Sequence, residues 1–408
     1  MQEQILHVAS SAPRRVGDWT SPFVLDEARA LQGAGFPCRI ICPAPAEAAD
    51  LLETIEGVPI ERCRYLPPGA KPRLVYAKGG AAATIGSGRG RLEALPLLLT
   101  LARATSRSCV SRPTAAIVAH WSETGAAVWP IARRRRIPWA LRVHRANPRG
   151  PMERLLFRAV VRAADLVLAN SEYTLKRVER LGRARRSRIV PPIVAPELVR
   201  EGAGESATDV PAQLGLPRGR PIVLGLGRLI EKKGHIYLLN AASELRAPSG
   251  RPLVVIAGEG PMEQRLRKHA AVRADFARLI GGVPRSLVPG LLRAASVVVQ
   301  PSVVDAEGEA ETYGVSVVEG MLAERPVVVT RTGALPERAC EGAQVVPARD
   351  LRAISWAVNQ LLGDPERAEA IGRKSARLAR RHCIRAVDDL RESMEALIDG
   401  ARGGAFDG

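Results

Sequence analysis

The stretch that decides the fold is PIVLGLGRLIEKKGH, residues 221–235. Its first part, residues 222–226, is a short aliphatic run that predicts a buried strand. The sequence GLG lies where this strand should end, and glycines at that point allow backbone to approach a phosphate group closely. Arg228 and Lys233 add positive charge that suits a diphosphate. Two glycines after a strand are common, so a tight turn with two surface cations explains this segment equally well by itself.

Strand-like runs alternate with helical patterns on both sides of this stretch. In the second half of the chain, strands are predicted at residues 222–226, 253–257, 278–280, 296–300, 327–330 and 344–346. In the first half, they are predicted at residues 5–9, 38–42, 115–119, 139–143, 166–169 and 188–190. Because this alternation gives parallel sheets covered by helices, we predict an α/β protein with two Rossmann-like domains.

The chain divides at a segment rich in Gly, Pro, Ser and Ala, residues 202–219, which reads as a linker. We expect the first Rossmann-like domain over residues 1–205 and the second over residues 206–375. Residues 368–398 read as a helix of mixed charge, and residues 376–408 are taken as a helical tail, which could pack back on the first domain. A second glycine turn, AGEGP at residues 257–261, is expected to be a plain connecting loop.

The segment ETYGVSVVE, residues 311–319, carries the sharpest ligand signal. A helix should begin at Gly314, which places Glu319 a little over one turn inside it and Glu311 just before it. The N–H groups of a helix start favour an anion between the two carboxylates. Carboxylates accept hydrogen bonds from hydroxyl groups, so this arrangement suits a nucleotide sugar. Ordinary helix capping by acidic residues is the alternative.

Two histidines of the first half follow predicted strands, His120 and His144. Ligands bind at the C-terminal ends of strands in open α/β sheets, so this position favours a functional role. A histidine there is also often a partner of backbone groups. We take His144 as a candidate site residue and leave His120 open.

Charge is spread unevenly along the 408 residues, whose net charge is +18. Residues 1–200 hold 32 Lys and Arg against 16 Asp and Glu, a net charge of +16, whereas the remainder holds 28 against 26. A basic half implies an anionic partner: nucleic acid, an acidic lipid surface or a phosphorylated substrate. Solvation of the surface by arginine is the alternative. Six cysteines, none in C-x-x-C, are too few for a disulfide scaffold and indicate a reducing cytosol.

Several classes of protein fit poorly. A nicotinamide-dependent enzyme needs Gly-x-Gly-x-x-Gly at the first strand-to-helix turn, and residues 10–15 lack it. A nucleic-acid binder agrees with the charge, but the basic half has few aromatics and no helix-turn-helix or RNA-binding motif. There is no Asp-x-Asp motif and no metal-ligand spacing, so we expect no metal and no cofactor. No run is apolar enough to cross a bilayer. From the cysteine usage we expect a cytoplasmic protein.

In their order, the motifs around Arg228, Lys233, Glu311 and Glu319 resemble the C-terminal half of family-4 retaining glycosyltransferases of GT-B fold. The first half is similar too, through His120, Val143-His144 and the segment ADLVLANSE at residues 164–172. The resemblance implies two Rossmann-like domains facing across a cleft, the first binding the acceptor and the second the nucleotide-sugar donor. The acidic insert at residues 305–311 is similar to that of exopolysaccharide transferases of the colanic-acid type.

The resemblance also implies roles for residues of the second domain. Arg228 and Lys233 would contact the donor diphosphate and neutralise the leaving nucleotide. Glu319 would hold the ribose hydroxyls, and Glu311 would contact the sugar. The cations and a helix start would do the work of a metal ion, since the family is metal-independent.

The remaining implications concern the sugar, the acceptor and the location. Backbone N–H groups of Tyr313, Gly314 and Val315 would bind sugar or phosphate, and His144 would contact the sugar. The acceptor would be a saccharide or a lipid-linked molecule, with cell-surface polysaccharide as the product. No nucleic-acid partner is expected. A GT-B enzyme such as a nucleotide-sugar epimerase is an alternative, which the Lys-Gly and Glu-x7-Glu arrangement argues against. The basic first half could attach the protein peripherally to the inner face of a membrane.

Overall fold

A computed structural model describes the chain except for residues 1, 47, 49–50, 68–69, 71, 73, 77–87, 195–209, 340–341 and 404–408. The chain forms two compact units. Unit 1 comprises Met1–Ile193 and Arg385–Gly408, and unit 2 comprises Val194–Ile384. The expected boundary at residues 205 and 206 lies outside the described residues.

Unit 1 is built on an eight-stranded sheet in the order β3-β4-β2-β1-β5-β6-β7-β8. β3 runs antiparallel to β4, and the other neighbours are parallel. The β3–β4 hairpin was not predicted from the sequence. The strands are β1 (Gln4–Ala9), β2 (Cys38–Pro43), β3 (Leu52–Ile55), β4 (Val58–Cys63), β5 (Thr114–His120), β6 (Trp139–Val143), β7 (Leu166–Ala169) and β8 (Ser187–Ile189).

Helices cover both faces of this sheet. Successive residues of β1 alternate between two cores, with Ile5 and Ala9 on one face and Leu6 and Val8 on the other. This period of two follows from the strand pleat, and burial on both faces explains the apolar runs. The helices are α1 (Pro22–Gly33), α2 (Gly88–Ser111), α3 (Ser122–Arg135), α4 (Pro151–Ala163) and α5 (Glu172–Leu181).

Unit 2 has a six-stranded sheet in the order β11-β10-β9-β12-β13-β14, and its recorded pairs are all parallel. This is the doubly wound Rossmann order. Successive strands are added on one side of β9 up to β11, and from β12 onward they are added on the other side, so the switch point lies between β9 and β12. Ligands of such sheets bind at that switch point, beyond the C-terminal ends of the strands. The strands are β9 (Ile222–Leu226), β10 (Leu253–Ala257), β11 (Ala277–Gly281), β12 (Val297–Gln300), β13 (Val327–Thr330) and β14 (Ala343–Val346).

The helices of unit 2 are short, and aliphatic side chains fill the core on each face of its sheet. Three 3-10 turns lie at Glu231–Lys233, Ala242–Glu244 and Arg285–Leu287. The α-helices are α6 (Val210–Gln213), α7 (His235–Ala241), α8 (Glu263–Ala271), α9 (Val288–Ala294), α10 (Val315–Leu322), α11 (Leu335–Ala339) and α12 (Leu351–Gly363).

The last helix, α13 (Pro365–Arg402), is continuous over 38 residues and contributes to both units. Cys383 packs in a core of unit 2, and Leu390 and Met394 pack in the core of unit 1 that contains Ile5. The helix predicted over residues 368–398 therefore lies inside this longer helix, and its residues from 385 onward belong to unit 1. Among the helices the structure describes, none combines the length and apolar character needed to span a membrane.

Candidate functional site

The loop after β9 is held in place by backbone contacts to the loop after β10. Gly227 N donates to Ala257 O at 3.0 Å, and Leu229 N donates to Glu259 O at 2.8 Å. Gly258 has a φ of +147°, and a Cβ atom there would lie 1.9 Å from Gly227 O. Only glycine fits so close an approach. The turn that was expected to be a plain connecting loop therefore positions the loop that carries Arg228.

Two consecutive lysines follow this loop in the 3-10 turn Glu231–Lys233. Gly234 ends the turn with a φ of +65°, and a Cβ atom there would lie 1.9 Å from Pro301 O. Val303 N donates to Lys232 O at 2.9 Å. These contacts fix the lysine backbone against the segment that leaves β12, at the switch point of the sheet.

Both lysines and Arg228 act on the buried carboxylate of Glu311. Lys233 Nζ lies 2.6 Å from Glu311 Oε2, and the two side chains are only 12% and 10% exposed. Lys232 Nζ donates to Ala310 O at 3.4 Å. Burial alone would raise the pKa of the Glu311 carboxyl, but Lys233, Lys232 and Arg228 together lower that pKa to about 2. Glu311 is therefore ionised at physiological pH, inside a group with more positive than negative charge.

Lys232 itself lies in a less favourable place for a cation. Burial lowers the pKa of its ammonium group, and Glu311 and Glu309 act against that effect. Glu309 is buried, at 6% exposure, within the acidic loop of residues 305–311. The lysines thus compensate the buried carboxylates while Arg228 stays exposed to solvent.

The start of α10 is fixed by a network of polar side chains. Ser316 Oγ donates to Gln300 Oε1 at 2.8 Å, and Gln300 Nε2 donates to Ser302 Oγ at 2.8 Å. Thr332 Oγ1 donates to Ser302 O at 3.0 Å. Gly314 caps the helix with a φ of +87°. Because the first N–H groups of any helix have no acceptor within it, this ordered start can bind an anionic or hydroxyl oxygen.

The other predicted residues of unit 2 lie along this segment. Tyr313 is buried, and the Arg338 guanidinium carbon lies 5.1 Å from the centre of its ring, so it can contribute to a ligand only through its backbone. Val315 is the first residue of α10 and is exposed. Glu319 lies a little over one turn inside the helix and is half-buried. The structure thus brings Arg228, Lys233 and Glu311 together.

In unit 1, three histidines lie in a row on neighbouring strands. His7 lies in β1, His120 ends β5, and His144 directly follows β6. All three share the sheet face that α1 covers, because each is an even number of residues from a neighbour in that core. His7 Nδ1 lies 3.1 Å from His120 Nε2, and His120 Nδ1 lies 3.0 Å from His144 Nε2.

Aromatic rings surround the outer end of this row. The ring centre of His144 lies 4.4 Å from that of Phe23 and 4.9 Å from that of Trp121. Trp121 has a φ of +73°, which is strained for a bulky residue, and its backbone N–H donates to Arg142 O at 3.0 Å. Strain of this kind is concentrated at ligand sites. His144 is half-buried, whereas His7 and His120 are fully buried.

Two residues of these side-chain groups, Lys232 and His7, were not predicted from the sequence. Lys232 was passed over because two adjacent lysines give no sign of which one faces a carboxylate. His7 was passed over because it lies inside an apolar strand run, where the only signal is a polar residue on an otherwise buried face. His120 was left open and is the central member of the histidine row.

In the part of the chain that the structure describes, no group of three or more His, Cys, Asp or Glu is arranged to hold a metal ion. The acidic loop illustrates why clustered carboxylates are not enough. Asp305 Oδ1 accepts hydrogen bonds from the backbone N–H groups of Glu307 at 3.1 Å and Glu309 at 2.8 Å. This carboxylate therefore shapes its own loop.

The chain consists of two Rossmann-like units, which is the organisation of the GT-B class of α/β proteins. Sucrose-phosphate synthase from Thermosynechococcus elongatus has a similar structure, with a TM-score of 0.77 at 19% identity over 98% of this chain and 100% of the other. Anabaena HepE in complex with UDP and glucose is similar at a TM-score of 0.72 and 16% identity, over 97% and 100%. At these identities the likeness shows the fold alone.

The family follows from the sequence matches of both units. Residues 206–378 match the family of glycosyl transferases group 1, and residues 20–192 match the glycosyl transferase 4-like domain. The chain therefore belongs to the group 1 glycosyltransferases of GT-B fold, which confirms the resemblance to this family and the predicted fold class, while the colanic-acid type stays a prediction.

Curated relatives match over shorter stretches. A GDP-mannose-dependent alpha-(1-6)-phosphatidylinositol monomannoside mannosyltransferase of Mycolicibacterium smegmatis is 34% identical over 158 residues, 38% of this chain and 41% of that protein. A D-inositol 3-phosphate glycosyltransferase of Nocardia farcinica is 30% identical over 262 residues, 60% of this chain and 56% of that protein. The matches thus span about two fifths to three fifths of the length of these relatives.

Proposed function

We propose that this protein is a retaining glycosyltransferase that moves a sugar from a nucleotide-sugar donor to a saccharide or lipid-linked acceptor. The observation that carries the proposal is the group of Arg228, Lys232 and Lys233 around the ionised Glu311, at the switch point of a Rossmann sheet. Positive charge and a helix start on that edge suit a diphosphate, and carboxylates suit the hydroxyls of a sugar and a ribose.

The cations would stabilise the leaving group. When the bond between the anomeric carbon and the phosphate oxygen breaks, negative charge develops on the departing diphosphate. Arg228 and Lys233 supply fixed positive charge for it in a partly buried setting, where such interactions are stronger than in water. The Lys233 ammonium has three N–H groups, so pairing with Glu311 leaves others to reach phosphate oxygens. A positioned group of this kind contributes about 10²–10³-fold to the rate.

The remaining site residues would hold the donor. In this proposal Glu319 binds the ribose hydroxyls, Glu311 contacts the sugar, and backbone N–H groups from Tyr313 to Val315 bind sugar or phosphate. His144 contacts the sugar from unit 1. The acceptor hydroxyl forms its bond to the anomeric carbon on the face that the diphosphate leaves, and its proton passes to the departing phosphate oxygen. That route preserves the anomeric configuration without a metal ion.

A donor screen tests the proposal. The full-length protein is incubated with UDP-, GDP- and ADP-sugars, and the released nucleotide is measured with and without EDTA. We expect release from one class of donor, unchanged by EDTA. No release from any donor, together with salt-sensitive retention on DNA, would favour a nucleic-acid or anion binder instead.

We further propose that the acceptor is lipid-linked, that the pathway is cell-surface polysaccharide synthesis, and that unit 1 docks on an anionic membrane. One curated relative is named for a phosphatidylinositol-containing acceptor. On α2 the exposed positions recur every three or four residues and form one stripe. Its members are Leu92, Leu95, Leu99, Arg103, Arg107 and Val110.

The charge near this stripe favours anionic lipid. Arg135 Nη2 donates to Ser106 Oγ at 3.5 Å, which brings the exposed arginines at the end of α3, residues 133–136, next to α2. An apolar stripe beside basic side chains suits the interface of an anionic bilayer. Each cation near such a surface contributes about 1 kcal/mol.

Co-sedimentation with liposomes measures this docking. We expect the protein to pellet with anionic vesicles at low salt and to be released by higher salt, which screens the charges. Leu95→Gln should weaken pelleting, whereas Val272→Gln, at a still more exposed apolar position in unit 2, should not. Equal recovery in the supernatant with neutral and anionic vesicles would rule out the docking and leave the transferase proposal untouched.

A further inference from the structure

The histidine row of unit 1 has one end deep in the sheet and one end at the surface. At the deep end, His7 Nε2 is buried and has no hydrogen-bond partner among the residues that the structure describes. At the outer end, the half-buried His144 uses Nε2 toward His120, so that its Nδ1 points away from the row. The row therefore connects an apolar interior to a ligand-binding edge through two N···N contacts.

Each histidine of the row is neutral. Burial lowers the pKa of His7 to about 3 and holds the pKa values of His120 and His144 well below their ordinary range. Arg142, in the strand that leads to His144, lowers the latter two further. A neutral imidazole has one N–H group and one lone pair, so each N···N contact joins one donor to one acceptor.

Only two arrangements of protons satisfy both contacts. In the first, every ring is protonated on Nδ1: His7 donates to His120, His120 donates to His144, and His144 presents N–H outward. In the second, every ring is protonated on Nε2: the donation runs inward, and His144 presents a bare lone pair. The two arrangements differ at the deep end, where the first leaves an unpaired lone pair on His7 and the second an unpaired N–H.

The deep end selects the first arrangement. Buried N–H groups without an acceptor are rarer in native proteins than acceptors with an unused lone pair. His7 is paired in the sheet with Ile40 and Val118, whose side chains offer no acceptor, and His7 Nε2 has no hydrogen-bond partner among the described residues. The outer end can bear either state, because solvent or a ligand reaches it.

We propose that His7 and His120 are positioning residues that fix His144 in the Nδ1–H state, so that unit 1 presents a hydrogen-bond donor to its ligand. The matching group is an oxygen with a free lone pair, such as a sugar hydroxyl. That assignment of the ligand rests on the proposed function, whereas the protonation state of His144 does not.

Nitrogen NMR on the full-length protein tests the protonation state directly. The chain has six histidines, and long-range proton–nitrogen spectra of histidine-labelled protein distinguish a protonated from a bare ring nitrogen. His144, His120 and His7 are assigned by single substitutions, with His269→Gln in unit 2 as a control. We expect Nδ1 to be protonated and Nε2 bare in all three. Protonation of His144 on Nε2 would overturn the proposal.

Two substitutions at His120 separate positioning from packing. His120→Asn retains an N–H group near the place of Nδ1, whereas His120→Leu retains bulk without a donor. We expect His144 to stay on Nδ1 in the asparagine variant and to become a mixture of states in the leucine variant. An unchanged His144 spectrum in both variants would also overturn the proposal.

Turnover of a nucleotide sugar adds a second readout. We expect His120→Leu to lower kcat/KM about tenfold, the effect of one weakened neutral hydrogen bond, and His120→Asn to stay within about threefold of the parent. Equal losses in both variants would indicate a structural role only. If the protein transfers no sugar at all, the spectra still decide the protonation state, so failure of this inference and failure of the proposed function are distinguishable.

Discussion

Lys233 reaches a buried carboxylate with one of its three donors, and in the proposed reaction it also faces the developing charge of the diphosphate. Replacing it with alanine should lower kcat/KM about 10²–10³-fold, because a positioned charge of this kind contributes about 3–4 kcal/mol to the transition state. Glu319→Ala should reduce turnover severely as well. Lys268→Ala, at an exposed position on α8, should have no effect. Near-normal turnover of Lys233→Ala and Glu319→Ala, with unchanged circular dichroism, would contradict the assignment of these residues to the donor site.

Glu311 makes the stability of unit 2 depend on pH. Its pKa is lowered from an ordinary 4.5 to about 2, so the stabilisation is complete above pH 4.5 and disappears as the pH falls through about 2. Glu311→Gln should therefore be less stable than the parent at pH 7, by at most about 3 kcal/mol, with a difference that shrinks below pH 4.5.

Urea unfolding at several pH values measures this effect. Glu324→Gln is the matched control, because the Glu324 carboxylate is 43% exposed in its ion pair with Arg380 and exposed pairs contribute little. A difference between Glu311→Gln and the parent that stays constant from pH 7 to pH 3 would contradict the ionisation argument.

How much of the site the sequence predicts depends on the kind of signal at each residue. Glu311 and Glu319 were predicted as site residues because their spacing around a helix-starting glycine can be recognised in the sequence alone. Lys232 and His7 were not, because their roles depend on which side chain faces them across the fold. The sequence contains the residue, but the contact is made by segments far apart along the chain.

At the scale of elements, a glycine turn decides where the cations lie. Gly258→Ala would place a Cβ atom 1.9 Å from Gly227 O, so one of the two loops must move. We expect a loss of stability beyond the roughly 1–3 kcal/mol of backbone strain, together with a marked loss of turnover. Gly250→Ala is the control, since its φ is +126° but nothing lies within 4 Å of the added atom.

Thermal unfolding and nucleotide-sugar turnover compare the two glycine variants. Backbone strain from a positive φ is common to both alanine variants, and only Gly258→Ala adds a collision between the new Cβ atom and Gly227 O. Similar turnover in Gly258→Ala and Gly250→Ala would show that the β10 turn does not position the Arg228 loop.

The sequence predicted strands well where both faces of the strand are buried, because such a strand is a continuous aliphatic run. β9 and β10 have the predicted bounds because fully buried parallel strands are plain aliphatic runs. The β3–β4 hairpin was missed because three of the four residues of β3 are not buried. Its turn at Glu56 and Gly57 has φ values of +48° and +82°, as a type I′ turn requires, but Glu-Gly is a weaker hairpin signal than Asn-Gly.

At the scale of the whole molecule, α13 serves both units. Its sequence shows an amphipathic helix of mixed charge, and periodicity indicates an apolar face without saying what that face packs against. In the structure Ala379 and Cys383 pack with unit 2, and Leu390, Met394 and Leu397 pack with unit 1. Unit 1 therefore takes part of its core from the far end of the chain, beyond the whole of unit 2.

The stability of unit 1 should depend on this distant helix. Leu390 is fully buried, so Leu390→Ala should cost about 2–5 kcal/mol through lost burial and the cavity left behind. Ile384, six residues earlier on the same helix, is 62% exposed, so Ile384→Ala should change stability by less than about 0.5 kcal/mol. Hydrogen exchange of peptides from β1 and β2 should accelerate at least about 30-fold in the first variant only, since 2 kcal/mol corresponds to that factor. Equal protection of these strands in both variants would mean that the packing of α13 does not support the core of unit 1.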